Sequence, residues 1–479
     1  MARKRKLALD AHIAVTALDD QGCGRAEHDG VSVRVWGGLP GETVGVRVLR
    51  RSRTKLETMA VTLVAANPDR VTPDCPMAFR CGACALQHLA PAAQRDSKRG
   101  RLARLFADAG LAEPERWLPD ITGPTRGYRR KARLGVKVVP GKGGVLVGFR
   151  ERASPLVADL GACRVLAPVI GERLMALRAM VAELSCARAV PQLEIAVGDD
   201  AAAVVLRHLE PLTDDDLLHL RGVAAEQGWQ IYLQSGGPQT VVRLGAADAQ
   251  AGAVTIQGPE ADSAAGPDSS PDPEAGVAVE QAANAIVDRL HYELPEFGLR
   301  MAFHPLDFTQ VNAEINRVMI HCALELLAPA AADRVLDLFC GLGNFTLPLA
   351  CRCAEVFGVE GSEALVARGR ENADANGVTN VHFSTADLYA DDFDPASLPA
   401  AELMLLDPPR SGAELLCAGI GALSPRRIVY VSCNPETLAR DAVLLVAAGY
   451  RMSAAGIIDM FPHTAHVESM AVFDRKEVT

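Results

Sequence analysis

The chain has 479 residues and 49% of them are apolar, enough to fill more than one hydrophobic core, which excludes a small disulfide-stapled scaffold. Its longest apolar stretches, such as 442–450, are shorter than the roughly 18–20 residues that a membrane-spanning helix needs. The net charge of −10 is unevenly divided: residues 1–150 carry 27 basic and 14 acidic residues, net +13, and residues 151–479 carry 22 and 45, net −23. A basic front and an acidic rear favour a polyanion-binding region joined to a module with another task.

The amino-terminal segment predicts a small β-barrel over residues 1–68. Asp10 and His12 interrupt the apolar run that a secretory signal needs, so we expect a cytoplasmic protein, with a monomer as the default state. Short β-rich runs between residues 8 and 65 alternate with glycine-containing turns, the spacing of a barrel.

A cysteine cluster follows the barrel. Cys75, Cys81 and Cys84 lie within ten residues, and thiols at this spacing in a cytoplasmic chain are typical of metal ligands. A closed site needs a fourth ligand, and Cys163 is the best candidate. Four thiolates suit either tetrahedral zinc or a [4Fe-4S] cluster, so the residues alone leave both open.

The next two segments are basic. Apolar residues at helical spacing predict an amphipathic helix over 94–112. Basic residues and a tyrosine then alternate, which suits phosphate contacts and base stacking as well as a solvated hairpin. The candidate RNA contacts are Arg126, Tyr128, Arg129, Arg130, Lys131 and Arg133.

Strand patterns such as 193–197 and 203–206 predict a mixed α+β region up to about residue 243. Residues 245–285 are rich in Ala, Gly, Pro, Asp and Ser and carry acidic but no basic residues, so we expect a disordered acidic insertion. After it, strands and helices alternate as in a parallel doubly wound sheet. The predicted strands are 334–339, 355–360, 381–385, 403–407 and 427–432.

A nucleotide site is predicted where the first of these strands ends. Gly341 and Gly343 let the backbone pass close to a ligand, and Glu360 stands where a carboxylate can accept hydrogen bonds from ribose hydroxyls. Thr346 replaces the third glycine of the dinucleotide pattern, which favours a ligand without pyrophosphate, such as S-adenosylmethionine. Asp387, after the third strand, can reach the adenine.

Reactive groups are predicted at the ends of the later strands. Asp407 precedes two prolines, Cys433 follows the fifth strand, and Glu468 stands in an apolar strand where a carboxylate is costly to bury. A thiolate that adds to carbon 6 of uracil makes carbon 5 nucleophilic towards a sulfonium methyl group, and a general base must then remove the carbon 5 proton. Cys433 is the candidate nucleophile, Glu468 the candidate base, and Asp407 a hydrogen-bonding support.

Taken together, these motifs resemble the RNA uracil-5-methyltransferase family, and in particular its cluster-bearing branch that modifies bacterial 23S ribosomal RNA. The resemblance covers nearly the whole chain apart from 245–285. It rests on the four cysteines and on the segments Phe308–Asn312, Asp337–Asn344, Asp407–Gly412, Ser432–Pro435 and His466–Met470.

The resemblance implies a multidomain protein. It implies an OB-like TRAM barrel at 1–68, a central α+β domain with a [4Fe-4S] cluster at 69–92 and 125–300, a helix at 93–124 packed on the catalytic domain, and a Rossmann-like methyltransferase domain at 301–479. The implied S-adenosylmethionine contacts are Gln310, Phe339, Asn344, Glu360, Asp387 and Asp407, and the implied cluster ligands are Cys75, Cys81, Cys84 and Cys163. Asp387 stands where some members carry Asn.

Three alternatives stay open at this point. The same chemistry could serve a different rRNA uridine or the tRNA T-loop. An enzyme that methylates adenine amino groups would need an aromatic residue where Arg410 stands and would need no Cys433. A non-catalytic iron-sulfur protein that binds RNA would tolerate loss of Cys433.

Overall fold

The computed structural model describes residues 8–52, 54–142, 144–245 and 289–476. Apart from Gly245, the predicted acidic insertion at 245–285 lies outside these residues. Among the described helices, none combines the length and the apolarity that crossing a bilayer requires.

The amino-terminal strands form a six-stranded barrel. They are β1 (Ala8–Ala14), β2 (Ala17–Leu18), β3 (Gly24–His28), β4 (Val31–Trp36), β5 (Thr43–Arg51) and β6 (Lys55–Ala65). In the sheet order β1-β5-β6-β4-β3-β2 the strands β1 and β2 lie at opposite edges, yet they follow each other in the chain and β1 contacts β3, so the sheet curls round as in a barrel. Alternate apolar residues such as Ile13, Val33 and Val44 fill the interior.

A helix and a short strand connect the barrel to the catalytic domain. Helix α1 (Pro91–Asp108) begins with proline, whose missing N–H costs nothing at that position. It starts three residues before the predicted start at 94 and ends four residues before the predicted end at 112. Leu102 and Phe106 pack into the core of the catalytic domain, and β7 (Arg116–Trp117) pairs in parallel with a strand of the catalytic sheet.

The central domain is a mixed sheet covered by helices. Its strands, in the order β13-β12-β11-β10-β8-β9, are β8 (Lys131–Val139), β9 (Gly144–Gly148), β10 (Gln192–Val197), β11 (Ala202–Arg207), β12 (Trp229–Gln234) and β13 (Val241–Arg243). Its helices are α2 (Pro168–Gly171), α3 (Leu174–Ala182) and α4 (Asp214–Gln227). The strands predicted at 193–197 and 203–206 are β10 and β11, each slightly longer than expected.

A hairpin leads into the catalytic domain. Strands β14 (Leu290–Leu294) and β15 (Leu299–Phe303) pair with each other and pack against helix α5 (Ala313–Leu327). The catalytic elements that follow are β16 (Arg334–Leu338), α6 (Thr346–Ala350), β17 (Glu355–Glu360), α7 (Glu363–Ala375), β18 (Val381–Thr385), β19 (Leu403–Leu406), α8 (Glu414–Ala418), β20 (Arg427–Ser432), α9 (Pro435–Ala447), β21 (Tyr450–Ile458) and β22 (Glu468–Arg475).

These strands form one sheet in the order β18-β17-β16-β19-β20-β22-β21-β7. The strands from β18 to β20 are mutually parallel, and β22 runs antiparallel to β20. The five predicted strands agree with the structure to within one residue. The order reverses between β16 and β19, which is the switch point where open α/β sheets bind ligands.

Candidate active site

A cavity of about 500 Å³ opens at the carboxyl ends of the parallel strands. It lies between the central strands of the catalytic sheet and the loop that follows β15. All eight residues predicted to bind S-adenosylmethionine or to act in catalysis line it, namely Gln310, Phe339, Asn344, Glu360, Asp387, Asp407, Cys433 and Glu468. The fold therefore gathers side chains from seven separate segments into one site.

The turn after β16 forms one end of the cavity. Phe339 and Gly341 adopt left-handed backbone conformations with φ of 63° and 57°. A Cβ atom added to Gly341 would meet no protein atom within 4 Å, so the backbone here borders open space. Glu360 accepts hydrogen bonds from the Gly341 amide (3.2 Å) and the Ser362 amide (2.9 Å). The glycine turn and the carboxylate predicted from sequence are thus directly linked.

Asn344 lines the cavity, and its side-chain amide is hydrogen-bonded to neighbouring elements. Its oxygen accepts hydrogen bonds from the Tyr292 hydroxyl (2.8 Å) and the Asn316 amide (3.0 Å), and its nitrogen donates to the Asn316 oxygen (2.9 Å). The side chain therefore joins the β14 hairpin and α5 to the turn. Gln310 is half-buried beside it, and Asp387 is exposed at the rim.

Cys433, Glu468 and Asp407 meet at the other end of the cavity. Asp407 follows β19 and Cys433 follows β20, so both leave the carboxyl edge of the sheet. Glu468 begins β22, whose first residues pair with the end of β20 because the two strands are antiparallel. One edge of the sheet therefore brings together a thiol and two carboxyl groups.

Burial dominates the electrostatics of these three groups. It raises the pKa of Glu468 to about 8, with a further contribution from Asp407, while Lys98 and Arg410 oppose the shift. Burial also raises the pKa of Asp407 to about 7. The pKa of the Cys433 thiol rises to about 11 through burial and the two carboxylates, against the lowering influence of Arg410. Raised carboxyl pKa values are typical of groups that transfer protons, whereas the raised pKa of the thiol means that its thiolate form needs stabilisation before it can attack.

A buried ion pair lies behind this end of the cavity. The ammonium of Lys98 in α1 donates to Asp459 (2.6 Å) and to the Phe461 carbonyl (3.1 Å), and the residue is only 2% exposed. Its charge lowers the pKa of Glu468. The helix that precedes the central domain thus contributes to the electrostatics of the site.

The cavity also contains aromatic and basic residues to which the sequence assigned no role. Phe308 is 71% exposed at the mouth, and His466 contacts the ring of Phe461 at 5.5 Å between centroids. Their only sequence signal is adjacency to Gln310 and Glu468 in the motifs above. The other such residues are Tyr292, Tyr389 and Arg410.

The cysteine segment lies where the three domains meet. Arg152 donates to the carbonyls of Cys81 and Cys84 and stacks on Trp36 of the barrel at 4.7 Å. The Leu86 amide donates to the His463 carbonyl of the catalytic domain (2.9 Å). The segment therefore connects all three parts of the molecule.

The four predicted ligand cysteines are free thiols and influence each other electrostatically. Cys81 and Cys84 each have their pKa raised by burial first, and then by neighbouring thiols that include Cys75 and Cys163. Even so, the described residues contain no group of three or more His, Cys, Asp or Glu side chains arranged to hold a metal ion.

The basic segment 126–133 differs from the prediction at two positions. Tyr128 is 4% exposed and its hydroxyl donates to the Pro462 carbonyl (3.1 Å), so it offers no face for a base. The ammonium of Lys131 points inward and donates to the carbonyls of Pro305 and Asp307. The partners of both residues are distant in sequence, so no local pattern could indicate these contacts.

The other basic residues of this segment are exposed or partly exposed. Arg126 and Arg133 have largely exposed side chains and pair with Asp74 and Glu194 respectively. Arg130 pairs with Asp199, and Arg129 lies over the ring of Phe149 at 5.4 Å.

A second cavity, of about 490 Å³, lies between the barrel and the central domain and also borders His466. Trp36 and Gln21 line it from the barrel, and Arg129 and Arg152 line it from the central domain. His466 lines both this groove and the catalytic cavity, so the two are neighbours.

Comparisons with known proteins agree with this arrangement. Residues 297–476 match the family model of the tRNA (uracil-5-)-methyltransferases. The chain is 48% identical over 477 residues to 23S rRNA (uracil(1939)-C(5))-methyltransferase RlmD of Alkalilimnicola ehrlichii, covering 99% of both chains. It is 42% identical to the RlmD protein of Hahella chejuensis, covering 99% of this chain and 100% of the relative.

A solved structure shows the same fold. The tRNA (uracil-54, C5)-methyltransferase of Pyrococcus abyssi, in complex with S-adenosyl-L-homocysteine, superposes with a TM-score of 0.68 at 22% identity over 96% of this chain and 99% of that one. The family is shown by the 42–48% identity to RlmD proteins over nearly the full chain. The chain belongs to the RlmD branch of the RNA uracil-5-methyltransferase family.

Proposed function

We propose that the chain transfers a methyl group from S-adenosylmethionine to carbon 5 of a uridine in 23S ribosomal RNA, at the position that the names of its relatives number 1939. One observation carries the chemistry: Cys433, Glu468 and Asp407 share a cavity with the glycine turn and Glu360. The relatives' names carry the choice of RNA. A ribosomal RNA substrate also implies a cytoplasmic place of action.

The cavity residues fit S-adenosylmethionine. Open space borders Gly341, Glu360 can accept hydrogen bonds from ribose hydroxyls, and Asp387 at the rim can meet the adenine. The aromatic ring of Phe339 and the amide of Gln310 complete this end. When bound, the cofactor supplies an electrophilic methyl group on a sulfonium. Asp407 lines the same cavity and influences the pKa of Cys433, so it can contact either ligand.

Cys433 begins the reaction. Its sulfur adds to carbon 6 of the uracil, and the ring becomes enolate-like and nucleophilic at carbon 5. In the free protein the raised pKa keeps the thiol protonated, so the thiolate has to be favoured within the site. Arg410 acts in that direction, because its charge lowers the pKa of Cys433. Asp407 holds the pyrimidine or the cysteine loop by hydrogen bonding.

Glu468 completes the reaction. Once carbon 5 carries the methyl group, the carboxylate removes the remaining carbon 5 proton, and the Cys433 sulfur leaves carbon 6 as the ring double bond re-forms. A carboxyl with a pKa near 8 is a stronger base than an ordinary glutamate, which suits removal of a proton from carbon.

Substrate choice is tested by methyl transfer from labelled S-adenosylmethionine to unmodified total RNA, with 23S rRNA and tRNA separated before digestion to nucleosides. Label in 5-methyluridine from 23S rRNA is the expected result. Label in tRNA would keep the roles of Cys433 and Glu468 and overturn the substrate. Absence of label in both would favour a non-catalytic protein that binds RNA.

The four cysteines Cys75, Cys81, Cys84 and Cys163 are proposed to hold a [4Fe-4S] cluster. Thiolates are the ligands such clusters use, and burial followed by neighbouring thiols raises the pKa of Cys81, Cys84 and Cys163, a shift that a bound cation would oppose. A four-iron cluster is larger than a single ion, so its thiolates stand further apart than ligands arranged around one metal. Because the segment touches all three domains, the cluster would be structural.

Anaerobic purification tests this assignment. The expected protein is brown, with broad visible absorption that Cys81→Ser abolishes and Cys351→Ser, at an exposed thiol outside the segment, leaves intact. Colourless protein with bound zinc would overturn the iron assignment. RNA in the groove lined by Trp36 and Arg152 would lie against this same segment.

A further inference from the structure

The ammonium of Lys131 is fixed on a loop of the catalytic domain. Lys131 begins strand β8 of the central domain, and its Nζ donates to the carbonyl of Pro305 (2.8 Å) and to that of Asp307. Burial lowers its pKa to about 8, and Asp307 opposes that shift. A partly buried ammonium with two carbonyl acceptors is a charge-assisted tether.

The tethered loop, residues 304–312, forms one wall of the active-site cavity. It connects β15 to α5 and contributes Phe308, Thr309, Gln310 and Val311 to the lining. Phe308 is largely exposed, so packing around its ring does little to hold the loop in place. The position of Gln310 therefore depends on the contacts at the two ends of the loop.

Backbone contacts secure the far end of this loop. The Arg130 amide donates to the Val311 carbonyl (2.9 Å), and Arg129 forms an isolated bridge with Asn312. At the start of the loop, the hydrogen bonds of the Lys131 side chain join it to the central domain. Within the catalytic domain, Arg368 of α7 pairs with the Asp307 carboxylate (3.1 Å), which also accepts from the His304 amide (2.7 Å).

We propose that Lys131 is a positioning residue that holds loop 304–312 against the cofactor cavity, and that it does not contact RNA. The inference rests on the proposed function in so far as the cavity is taken to bind S-adenosylmethionine. The two carbonyls flank the turn just before Phe308, so release of the ammonium would free the segment that carries Gln310. Cofactor affinity would then depend on how the central and catalytic domains fit together.

The test is calorimetric binding of S-adenosyl-L-homocysteine to the full-length protein without RNA. We expect Lys131→Met to weaken binding about tenfold, the effect of losing a charge-assisted hydrogen bond, and Lys131→Arg to recover part of the loss. In steady-state methylation, Lys131→Met raises the KM for S-adenosylmethionine by a similar factor and lowers kcat much less.

The matched control is Lys137→Met, which makes the same change at an exposed lysine of the same strand and should leave binding unchanged. Equal affinity of Lys131→Met and the wild type for the homocysteine probe, with weaker RNA binding, would overturn the proposal and restore Lys131 as an RNA contact. If Lys131→Met does not fold, Arg368→Gln is the second variant, because it loosens the same loop from the catalytic domain. It should also weaken binding of S-adenosyl-L-homocysteine. Unchanged affinity in this variant would equally overturn the proposal. Failure of the wild type to bind the probe would instead contradict the proposed cofactor.

Discussion

The two edges of the catalytic sheet treat carboxyl groups in opposite ways. At the amino edge, Asp333 accepts two hydrogen bonds from Arg426 (2.8 and 2.6 Å), and this pairing lowers its pKa. Glu402 is held in the same way by Arg334. At the carboxyl edge, burial raises the pKa of Asp407 and Glu468 to about 7 and 8. The same residue types therefore stabilise the fold at one edge and reduce its stability at the other, where the chemistry takes place.

The largest expected effect comes from removing the nucleophile at the carboxyl edge. Cys433→Ala should lower the rate of methyl transfer by at least about 10³-fold, because the covalent route is lost. The change is measured by incorporation of labelled methyl into 23S rRNA, with circular dichroism to verify folding. Cys351→Ala, at an exposed cysteine away from the cavity, should remain active. Full activity of Cys433→Ala would contradict the mechanism.

Glu468→Gln should lower kcat by about 10²- to 10⁴-fold, the usual contribution of a general base. Since the Cys433 sulfur cannot leave before the carbon 5 proton is removed, RNA and protein should accumulate as a covalent adduct that survives denaturing electrophoresis. Glu402→Gln makes the same change at the amino edge and should leave the rate unaffected. Loss of activity without any adduct would place Glu468 outside the proton-transfer step.

Replacement of Glu468 should raise the stability of the folded protein at alkaline pH although it lowers activity. Glu468 has its folded pKa raised from 4.5 to about 8, so the stability it contributes is present below about pH 4.5 and is lost as the pH rises through 8. Glu468→Gln should therefore have a higher apparent melting temperature than the wild type at about pH 8.5, by a few degrees, and the difference should shrink towards pH 4.5. Thermal scans across this range measure it. If the difference in melting temperature between the two proteins stayed the same at every pH, the pKa of Glu468 would not be raised in the folded protein.

The smallest effect is expected at the amino edge. Asp333 has a lowered pKa, so the stability it contributes is present above pH 3.8, its usual pKa, and is lost as the pH falls below it. Because Arg426 is half-exposed, solvent screens the pair, and a double-mutant cycle of Asp333→Asn and Arg426→Gln should give a coupling energy of about 1 kcal/mol or less. The rate of methylation should be unaffected. A coupling energy of several kcal/mol would contradict the screening of this pair by solvent.

Local sequence patterns were sufficient for the five parallel strands of the catalytic domain. Its parallel strands are buried, continuous and bounded by turns, and reactive residues placed at their carboxyl ends converge because the sheet aligns those ends. For that reason Asp407 and Cys433 could be placed together from the sequence. Glu468 could also be placed, because a carboxylate in an apolar strand is unusual enough to require an explanation.

Contacts between domains could not be predicted from the sequence. Tyr128 and Lys131 stand in a basic, aromatic segment whose composition suits RNA, yet their partners are Pro462, Pro305 and Asp307, far along the chain. Lys98 gave no signal of its proximity to Glu468 for the same reason. In each case the deciding interaction is tertiary, and no local periodicity reports it.

Strand β7 has a consequence for the order in which the chain can fold. Arg116 pairs with Ala454 in the outermost ladder of the catalytic sheet, and α1 packs its apolar face on the same domain. During synthesis these amino-terminal pieces leave the ribosome long before β21, so they must wait with unpaired backbone groups and uncovered apolar side chains. Contacts this distant in sequence form slowly. The catalytic sheet is therefore finished only after nearly the whole chain has been made, and its edge is completed by a segment translated before the central domain.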